Sequence, residues 1–217
     1  MAGLSRIRHL FGQSWLAITA RSSGDYWETR YRLGMSSGAG SEGALAQMKA
    51  DVLNNFVSEH NVRSVIEFGC GDGQQLALAK YTAYLGLDVS RTAINMCAQR
   101  FADDATKMFL WYDESHSGNL ADFLQADLTL SLDVIYHLLE DEVYRRYLRN
   151  LFGTSRRHVI VYSSNCGEPA LARHVRHRRF VDDVGAAFPE FRLTAHVENP
   201  LREQSFADFY FFSRTAR

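Results

Sequence analysis

A glycine-rich turn at the end of an apolar run constrains this sequence more than any other feature. Residues 64–68 read Ser-Val-Ile-Glu-Phe, a run typical of a strand, and glycines follow at Gly69, Gly71 and Gly73. Glycine suits a position where the backbone turns sharply and a ligand comes close, because a Cβ atom would obstruct both. The run and its glycines therefore predict a strand followed by a ligand-binding turn.

The spacing of this turn differs from the dinucleotide-binding fingerprint G-x-G-x-x-G. An acid, Glu67, precedes the first glycine, and Gln74 stands where the fingerprint has its third glycine. The resulting pattern, E-x-G-x-G-x-G, resembles the first motif of the class I S-adenosylmethionine-dependent methyltransferases, here of a bacterial small-molecule type. Gln74 disfavours the alternative, a nicotinamide-dependent oxidoreductase.

Composition excludes several classes of protein. The chain has 217 residues and a formal net charge of −1, so nothing global favours nucleic acid or an anionic membrane as a partner. The three cysteines share no metal-ligand spacing, and their odd number argues against a disulfide framework. We therefore expect no metal site and a cytoplasmic location. No run is long enough to span a bilayer.

Strands and helices alternate after residue 60, which predicts an α/β fold. We expect strands near 63–69, 83–88, 107–112, 126–132, 157–163, 191–198 and 206–213. Helices are expected near 42–60, 73–80, 91–102, 116–124, 140–152 and 170–187. The last two strands leave no room for a helical crossover and should form an antiparallel hairpin. The resemblance implies a Rossmann-like, mostly parallel sheet of seven strands with helices on both faces.

The first 43 residues are expected to form a separate segment. Apolar residues at helical spacing (Leu4, Ile7, Phe11, Trp15 and Ile18) favour an amphipathic helix over a signal peptide. Glycine and serine dominate residues 34–43, which predicts a mobile loop. We interpret 1–43 as a helical lid with a hinge loop and 44–217 as the methyltransferase domain.

Ligands of open α/β sheets bind beyond the carboxyl ends of the strands, so the residues there are candidates for the site. Asp88 lies 19 residues after Gly69, where a carboxylate can accept hydrogen bonds from two ribose hydroxyls. A helix cap is the alternative role for Asp88. The resemblance implies that Asp113, after the third strand, accepts from the adenine amine. The expected cofactor set is Trp27, Arg30, Glu67, Gly69, Gly71, Gly73, Asp88, Val89, Asp113 and Leu132.

The resemblance also implies a lid over the cofactor. Residues 26–31 read Tyr-Trp-Glu-Thr-Arg-Tyr, which resembles the aromatic N-terminal segment of many small-molecule methyltransferases. Trp27 would cover the cofactor, and Arg30 would hold its carboxylate with a guanidinium fork. A packing helix with a surface arginine is the alternative.

Two hypotheses concern the methyl acceptor. A neutral hydroxyl needs a base, and His137 with its neighbour Asp133 follows the fourth strand; a structural histidine is the alternative. An anionic acceptor needs no base, and Arg176 and Arg179 would share one face of a helix in the basic run 173–179. Tyr136 is a further candidate for acceptor binding. A solvated basic surface or an RNA contact are the alternatives for that run.

The sequence therefore predicts an S-adenosylmethionine-dependent methyltransferase acting on a small acceptor, at oxygen, with an anionic or sugar-containing acceptor as one case. An RNA or protein methyltransferase of the same fold is the first alternative. A catalytically silent cofactor-binding module is the second, and the intact glycines and Asp88 argue against it.

Overall fold

A computed structural model describes residues 20–113 and 118–215, and they form one seven-stranded sheet in the order β3-β2-β1-β4-β5-β7-β6. The strands are β1 (Val65–Phe68), β2 (Tyr84–Asp88), β3 (Lys107–Trp111), β4 (Ala126–Leu132), β5 (Ser155–Ser163), β6 (Phe191–Val197) and β7 (Asp208–Arg214). The helices are α1 (Ser23–Arg32), α2 (Gly43–Glu59), α3 (Arg91–Arg100), α4 (Asp141–Gly153) and α5 (Phe180–Ala187). Short 3₁₀ turns occupy Ala39–Ser41, Leu76–Leu78, Leu120–Asp122 and Ile135–His137.

The strand directions confirm the predicted fold class. Strands β1 to β5 pair in parallel, whereas β7 runs antiparallel to both of its neighbours, β5 and β6. A parallel connection requires a crossover of a dozen or more residues, usually a helix, and the β6–β7 loop is too short for one. The hairpin therefore places the antiparallel strand next to the edge of the sheet.

Burial on both faces explains why the central strands are apolar. All four residues of β1 are buried, as expected for a parallel strand with a layer packed on each face. On one face, α4 packs through Tyr144, Tyr147, Leu148 and Leu151, which recur at helical spacing. On the other face, α2 packs against β4, β5 and β7 through residues that include Leu53 and Val57.

Three of the expected helices are shorter in the structure. The one predicted at 73–80 is only the 3₁₀ turn Leu76–Leu78, because polar side chains of neighbouring elements take its backbone groups. Asn54 donates to the carbonyl of Leu78 and accepts from the amide of Lys80. The helix predicted at 116–124 is reduced to Leu120–Asp122 within the part that the structure describes.

The helix expected at 170–187 begins only at Phe180, so its first half was predicted wrongly. The run 173–179 lacks apolar residues at helical spacing, and its backbone and side chains bond to the loop after β4 instead. The amide of Arg176 donates to the carbonyl of Tyr136 at 2.7 Å. Arg176 and Arg179 therefore do not share a helical face. The amphipathic helix predicted from Leu4 to Ile18 lies outside the described residues, and the division at residue 43 stays a prediction.

Candidate active site

A cavity of about 560 Å³ opens at the carboxyl ends of β1 to β4, beneath helix α1. Its volume lies within the range of about 300–1,000 Å³ that is usual for small-molecule sites. Ten of the twelve cofactor and catalytic candidates predicted from the sequence lie in the wall of this cavity. Those in its wall are Trp27, Glu67, Gly69, Gly71, Asp88, Val89, Asp113, Leu132, Asp133 and His137.

The glycine turn after β1 forms the floor of the cavity, and its backbone requires glycine. Gly69, Gly71 and Gly73 have φ angles of 83°, 58° and 76°, in the left-handed region that side chains disfavour. A Cβ on Gly69 would also lie 2.5 Å from Cγ2 of Val134. Gly73 faces Phe101 and Cys97 of the packing layer and is absent from the cavity wall. The turn thus brings bare backbone to the cavity.

Asp88, the last residue of β2, is fixed by the same turn. One carboxylate oxygen accepts from the amide of Gly71 at 2.9 Å, and the other accepts from the amide of Ser90 at 2.8 Å. The side chain that caps α3 belongs to Ser90, whose hydroxyl accepts from the amide of Ala93. Burial raises the pKa of Asp88 to about 6, although these hydrogen bonds oppose the shift. Each oxygen keeps a lone pair that a ligand hydroxyl could use.

Glu67 lies inside β1 with only 4% of its surface exposed. Its carboxylate accepts a hydrogen bond of 2.6 Å from the hydroxyl of Tyr84. Burial raises the pKa of Glu67 to about 7, against the stabilising effects of Tyr84 and of the Lys49 ammonium. This group therefore exchanges a proton close to neutral pH.

Lys49 is a residue of the cavity wall that the sequence analysis missed. It is 1% exposed, and its ammonium donates to Asp133 at 2.7 Å and lies 5.2 Å from the centre of the Tyr162 ring. The sequence indicates that this lysine is buried, because it lies within the apolar stripe of α2, four residues from both Leu45 and Leu53. Buried lysines are rarely unpaired, so that position pointed to a carboxylate partner.

Asp133 directly follows β4, and its backbone is left-handed, with φ of 60°. Its second carboxylate oxygen accepts from the hydroxyl of Tyr136 at 2.7 Å. The 3₁₀ turn Ala39–Ser41 lies directly over it, and a Cβ on Gly40 would approach the Asp133 carboxylate to 2.8 Å. Asp133 reaches the cavity, whereas Tyr136 is buried behind it and is absent from the wall.

His137 lines the cavity, but its surroundings make it a weak base. Burial lowers its pKa to about 4, even though the carbonyl of His174 favours the protonated ring. Nδ1 lies 2.8 Å from that carbonyl, which can only accept, so Nδ1 carries the hydrogen and Nε2 keeps the lone pair. The ring stacks with His174 and meets Trp27 edge to face.

Helix α1 closes the cavity from above. Glu28 accepts from the hydroxyls of Ser90 and Thr92 at 2.7 and 2.8 Å, which ties α1 to the start of α3. Ser23, at the start of α1, donates to Glu140 in the loop before α4. Trp27 and Tyr31 face the cavity between these two attachments.

Arg30 is absent from the cavity wall. It is 4% exposed, and its Nε donates to the carbonyl of Ser36 at 2.7 Å. In this arrangement the Arg30 guanidinium bonds to Ser36 and does not line the cavity in which a cofactor carboxylate would bind. Instead, the guanidinium shapes the start of the Gly/Ser loop.

The acceptor candidates Arg176 and Arg179 are absent from the cavity wall, as Tyr136 is. Arg176 donates to the carbonyl of Leu139 at 2.7 Å and pairs with Asp141 at 3.0 Å. Arg178 pairs with the same carboxylate and lies over the ring of Tyr144. Neither Arg176 nor the exposed Arg179 belongs to the cavity wall. Arg91 does, and its guanidinium stacks 3.9 Å from the centre of the Trp111 ring.

The described residues contain no helix long and apolar enough to cross a membrane. Within the same residues, no three histidine, cysteine or acidic side chains gather in a way that could hold a metal ion.

The chain is similar in structure to several solved methyltransferases. Magnesium protoporphyrin IX methyltransferase from Synechocystis, with bound SAH, matches at a TM-score of 0.65 and 18% identity, over 88% of this chain and 98% of its own. The N-methyltransferase NodS from Bradyrhizobium japonicum matches at 0.61 and 17%, over 78% and 86%. A putative RNA methyltransferase from Pyrococcus horikoshii matches at 0.55 and 16%, over 85% and 89%.

No protein-family model and no curated protein sequence matches this chain. The structural likeness, at these identities, establishes the fold: it is that of the class I S-adenosylmethionine-dependent methyltransferases.

Proposed function

We propose that this chain, which has the class I methyltransferase fold, binds S-adenosylmethionine in the cavity beneath α1 and transfers its methyl group to a small molecule. The observation that carries the proposal is the glycine turn whose Gly71 amide holds Asp88 at the cavity. A ribose diol can donate to a carboxylate fixed in this way. A cytoplasmic location, expected from the three unpaired cysteines, is part of the proposal.

The chemistry of the wall fits the parts of this cofactor. Asp88 suits the ribose diol, and Asp113 with the neighbouring Trp111 suits an adenine amine and ring. At the other end, Lys49 and Glu67 offer opposite charges to an amino acid group. The left-handed glycines Gly69 and Gly71 leave the backbone between these ends uncovered.

The protein's own contribution is binding, alignment and exclusion of water, because S-adenosylmethionine, when bound, supplies an electrophilic methyl group on a positively charged sulfur. Helix α1 covers the cavity with Trp27 and Tyr31. The charged groups at the end of β4 are Asp133 and its partner Lys49. Asp133 is the carboxylate at this end of the cavity that can hold an acceptor and receive its proton as the methyl group is transferred.

The expected acceptor chemistry needs revision in one respect. The sequence predicted that Arg176 and Arg179 would bind an anionic acceptor, but the cavity wall contains neither residue. Transfer to oxygen stays a prediction from the sequence. RNA is the second candidate acceptor, because one structural neighbour is described as a putative RNA methyltransferase.

Calorimetry tests the proposal directly. SAH and S-adenosylmethionine should bind at micromolar level, and NAD should bind far more weakly. Tighter binding of NAD, or no binding of SAH, would refute the assignment of this cavity. Methyl transfer to short single-stranded RNA, in the absence of any small-molecule acceptor, would favour the second candidate.

A further inference from the structure

We propose that the methyl acceptor is an amine, recognised in its protonated ammonium form by Asp133 and the aromatic residues of α1. This inference rests on the proposed function and specifies the substrate class of the same cavity.

The wall of the cavity contains more acidic than basic side chains. Among the described lining residues, carboxyl groups outnumber permanent cations by seven to two. The cofactor carries one positive charge on sulfur, and an ammonium beside it would be repelled in a neutral site. Excess carboxylates offset this repulsion, whereas they would oppose a carboxylate or phosphate acceptor. The acids are Asp25, Glu28, Glu67, Asp88, Asp113, Asp133 and Glu140, and the cations are Lys49 and Arg91.

Both cations of the wall already have partners within the protein. Lys49 is bound to Asp133 at 2.7 Å. Arg91 begins α3, beside the end of β2, and is stacked on Trp111. Arg30, Arg176 and Arg178 bond to Ser36, Leu139 and Asp141, outside the wall. An anionic acceptor beside Asp133 would therefore meet carboxylates, because the guanidinium of Arg91 lies at the Trp111 end of the cavity.

Asp133 is the group that would receive the ammonium. The side chain of Asp133 is 18% exposed, and Lys49 and Tyr136 occupy one lone pair on each of its oxygens. The remaining lone pairs can accept from an N–H donor. Both neighbours keep the carboxylate in place. Trp27 and Tyr31 face the same cavity and can attract a cation through their ring faces.

The ammonium gives one proton to the Asp133 carboxylate, which leaves a lone pair on nitrogen. That pair forms the new N–C bond to the methyl carbon while the C–S bond breaks, and its electrons stay on sulfur. The product is a methylated ammonium, which keeps the positive charge that the sulfur has lost. Asp133 then releases the proton to water.

Three probes with one skeleton test the inference: benzylamine, benzyl alcohol and benzoate. Each is titrated into protein saturated with SAH, whose own binding is measured first. Benzylamine should bind at least about tenfold more tightly than the other two, the scale of one charge-assisted hydrogen bond. Equal binding of the three, tighter binding of benzoate, or no binding of benzylamine would overturn the inference.

The variant Asp133→Asn identifies the recognising group. Asparagine tolerates the left-handed backbone at this position, and its side-chain oxygen can still accept from Lys49. Because the variant removes the charge partner of that buried ammonium, its thermal unfolding and SAH binding are measured first to show that the fold persists. Benzylamine binding should weaken about ten- to a hundredfold, while benzyl alcohol binding stays within about threefold. The matched control is Asp51→Asn, which removes one exposed carboxylate from α2 outside the cavity and should leave all three probes unaffected.

The two proposals fail separately. If SAH does not bind, the proposed function falls and the acceptor class falls with it. If SAH binds and benzylamine has no preference that depends on Asp133, only the amine inference is wrong, and the cofactor assignment stands.

Discussion

At the scale of single residues, motif spacing located the cofactor candidates better than the acceptor candidates. Gly69, Gly71 and Asp88 lie in the cavity because a parallel βαβ unit brings the ends of its strands to one edge of the sheet. Arg176 is different, because its position depends on an irregular loop and on Asp141 in a distant helix. No local pattern encodes such a pairing.

Asp88 gives the first prediction. Asp88→Ala should weaken SAH binding by about 1–3 kcal/mol, the range for losing a hydrogen-bonded charge. The pKa of Asp88, raised to about 6 by burial, means that its ionised form, the better acceptor for a diol, grows as pH rises through 6. SAH affinity should therefore increase from pH 5 to 7 in the parent protein.

The variant should lose the part of this pH dependence that belongs to Asp88, as calorimetry across pH 5–8 would show. Glu67, with a pKa of about 7, supplies the remainder. Burial opposes the ionised form of Asp88, which offsets part of the cost of losing its hydrogen bonds to the Gly71 and Ser90 amides, so the stability of the ligand-free variant at pH 8 should change far less than its SAH affinity. An unchanged affinity would reduce Asp88 to a support for the turn.

His137 gives the second prediction. Since burial lowers its pKa to about 4, the ring serves as a packing partner of Trp27 and His174. His137→Phe keeps an aromatic ring at this position and should change kcat by less than about tenfold, compared with the 10²–10⁴-fold loss expected for a general base. A loss of the larger size in single-turnover kinetics would restore His137 as the base.

At the scale of elements, the periodic segments were predictable and the irregular ones were not. Strands and the helices α2, α3 and α4 follow the spacing of apolar residues in the sequence. The segment after Gly73 and the run 173–179 take their shapes from side chains far along the chain, such as Asn54 and Asp141. Their conformations are therefore tertiary properties.

The Gly/Ser loop gives the third prediction, because it touches the glycine turn through one reciprocal pair. The amide of Ser37 donates to Asp72 at 3.0 Å, and the Ser37 hydroxyl accepts from the amide of Asp72 at 3.1 Å. Adding SAH should slow amide exchange in residues 34–43, since a covered cavity keeps this contact closed. Hydrogen exchange followed by mass spectrometry measures the change.

Ser37→Ala should speed exchange in this loop before SAH is added and should weaken SAH binding. Ser36→Ala is the matched control, because the Ser36 hydroxyl bonds to Glu42 and Gly38 within the loop. If exchange in the parent protein is identical with and without SAH, residues 34–43 are a plain linker.

At the scale of the whole molecule, the sheet depends on the strand that occupies its second-last position. Strand β7 pairs with β5 on one side and β6 on the other, and Phe209 and Phe212 are 0% and 2% exposed. The sequence predicted the hairpin from its short loop. The insertion of β7 between β5 and β6 was not predicted, because strand order across a sheet is a long-range property.

The fourth prediction compares two phenylalanines near this strand. Phe209→Ala should lower the free energy of unfolding by about 3–5 kcal/mol, the usual cost of removing a buried aromatic ring. Replacing Phe206, which is 50% exposed, by alanine should lower the free energy of unfolding by less than about 1.5 kcal/mol. Urea denaturation measures both. Equal losses would show that the centre of β7 does not anchor the sheet.

The strand order also affects how the sheet can assemble while the chain is being synthesised. Strand β6 leaves the ribosome before β7, yet β7 is its pairing partner in the sheet. Until β7 emerges, β5 has an open edge and β6 has nothing to pair with in this arrangement, and open edges are where nascent chains associate wrongly. The cavity lies at the other strands, β1 to β4, which are complete earlier. A nascent chain could thus offer a cofactor site before its sheet is closed, and ligand present during translation would favour the productive order of assembly.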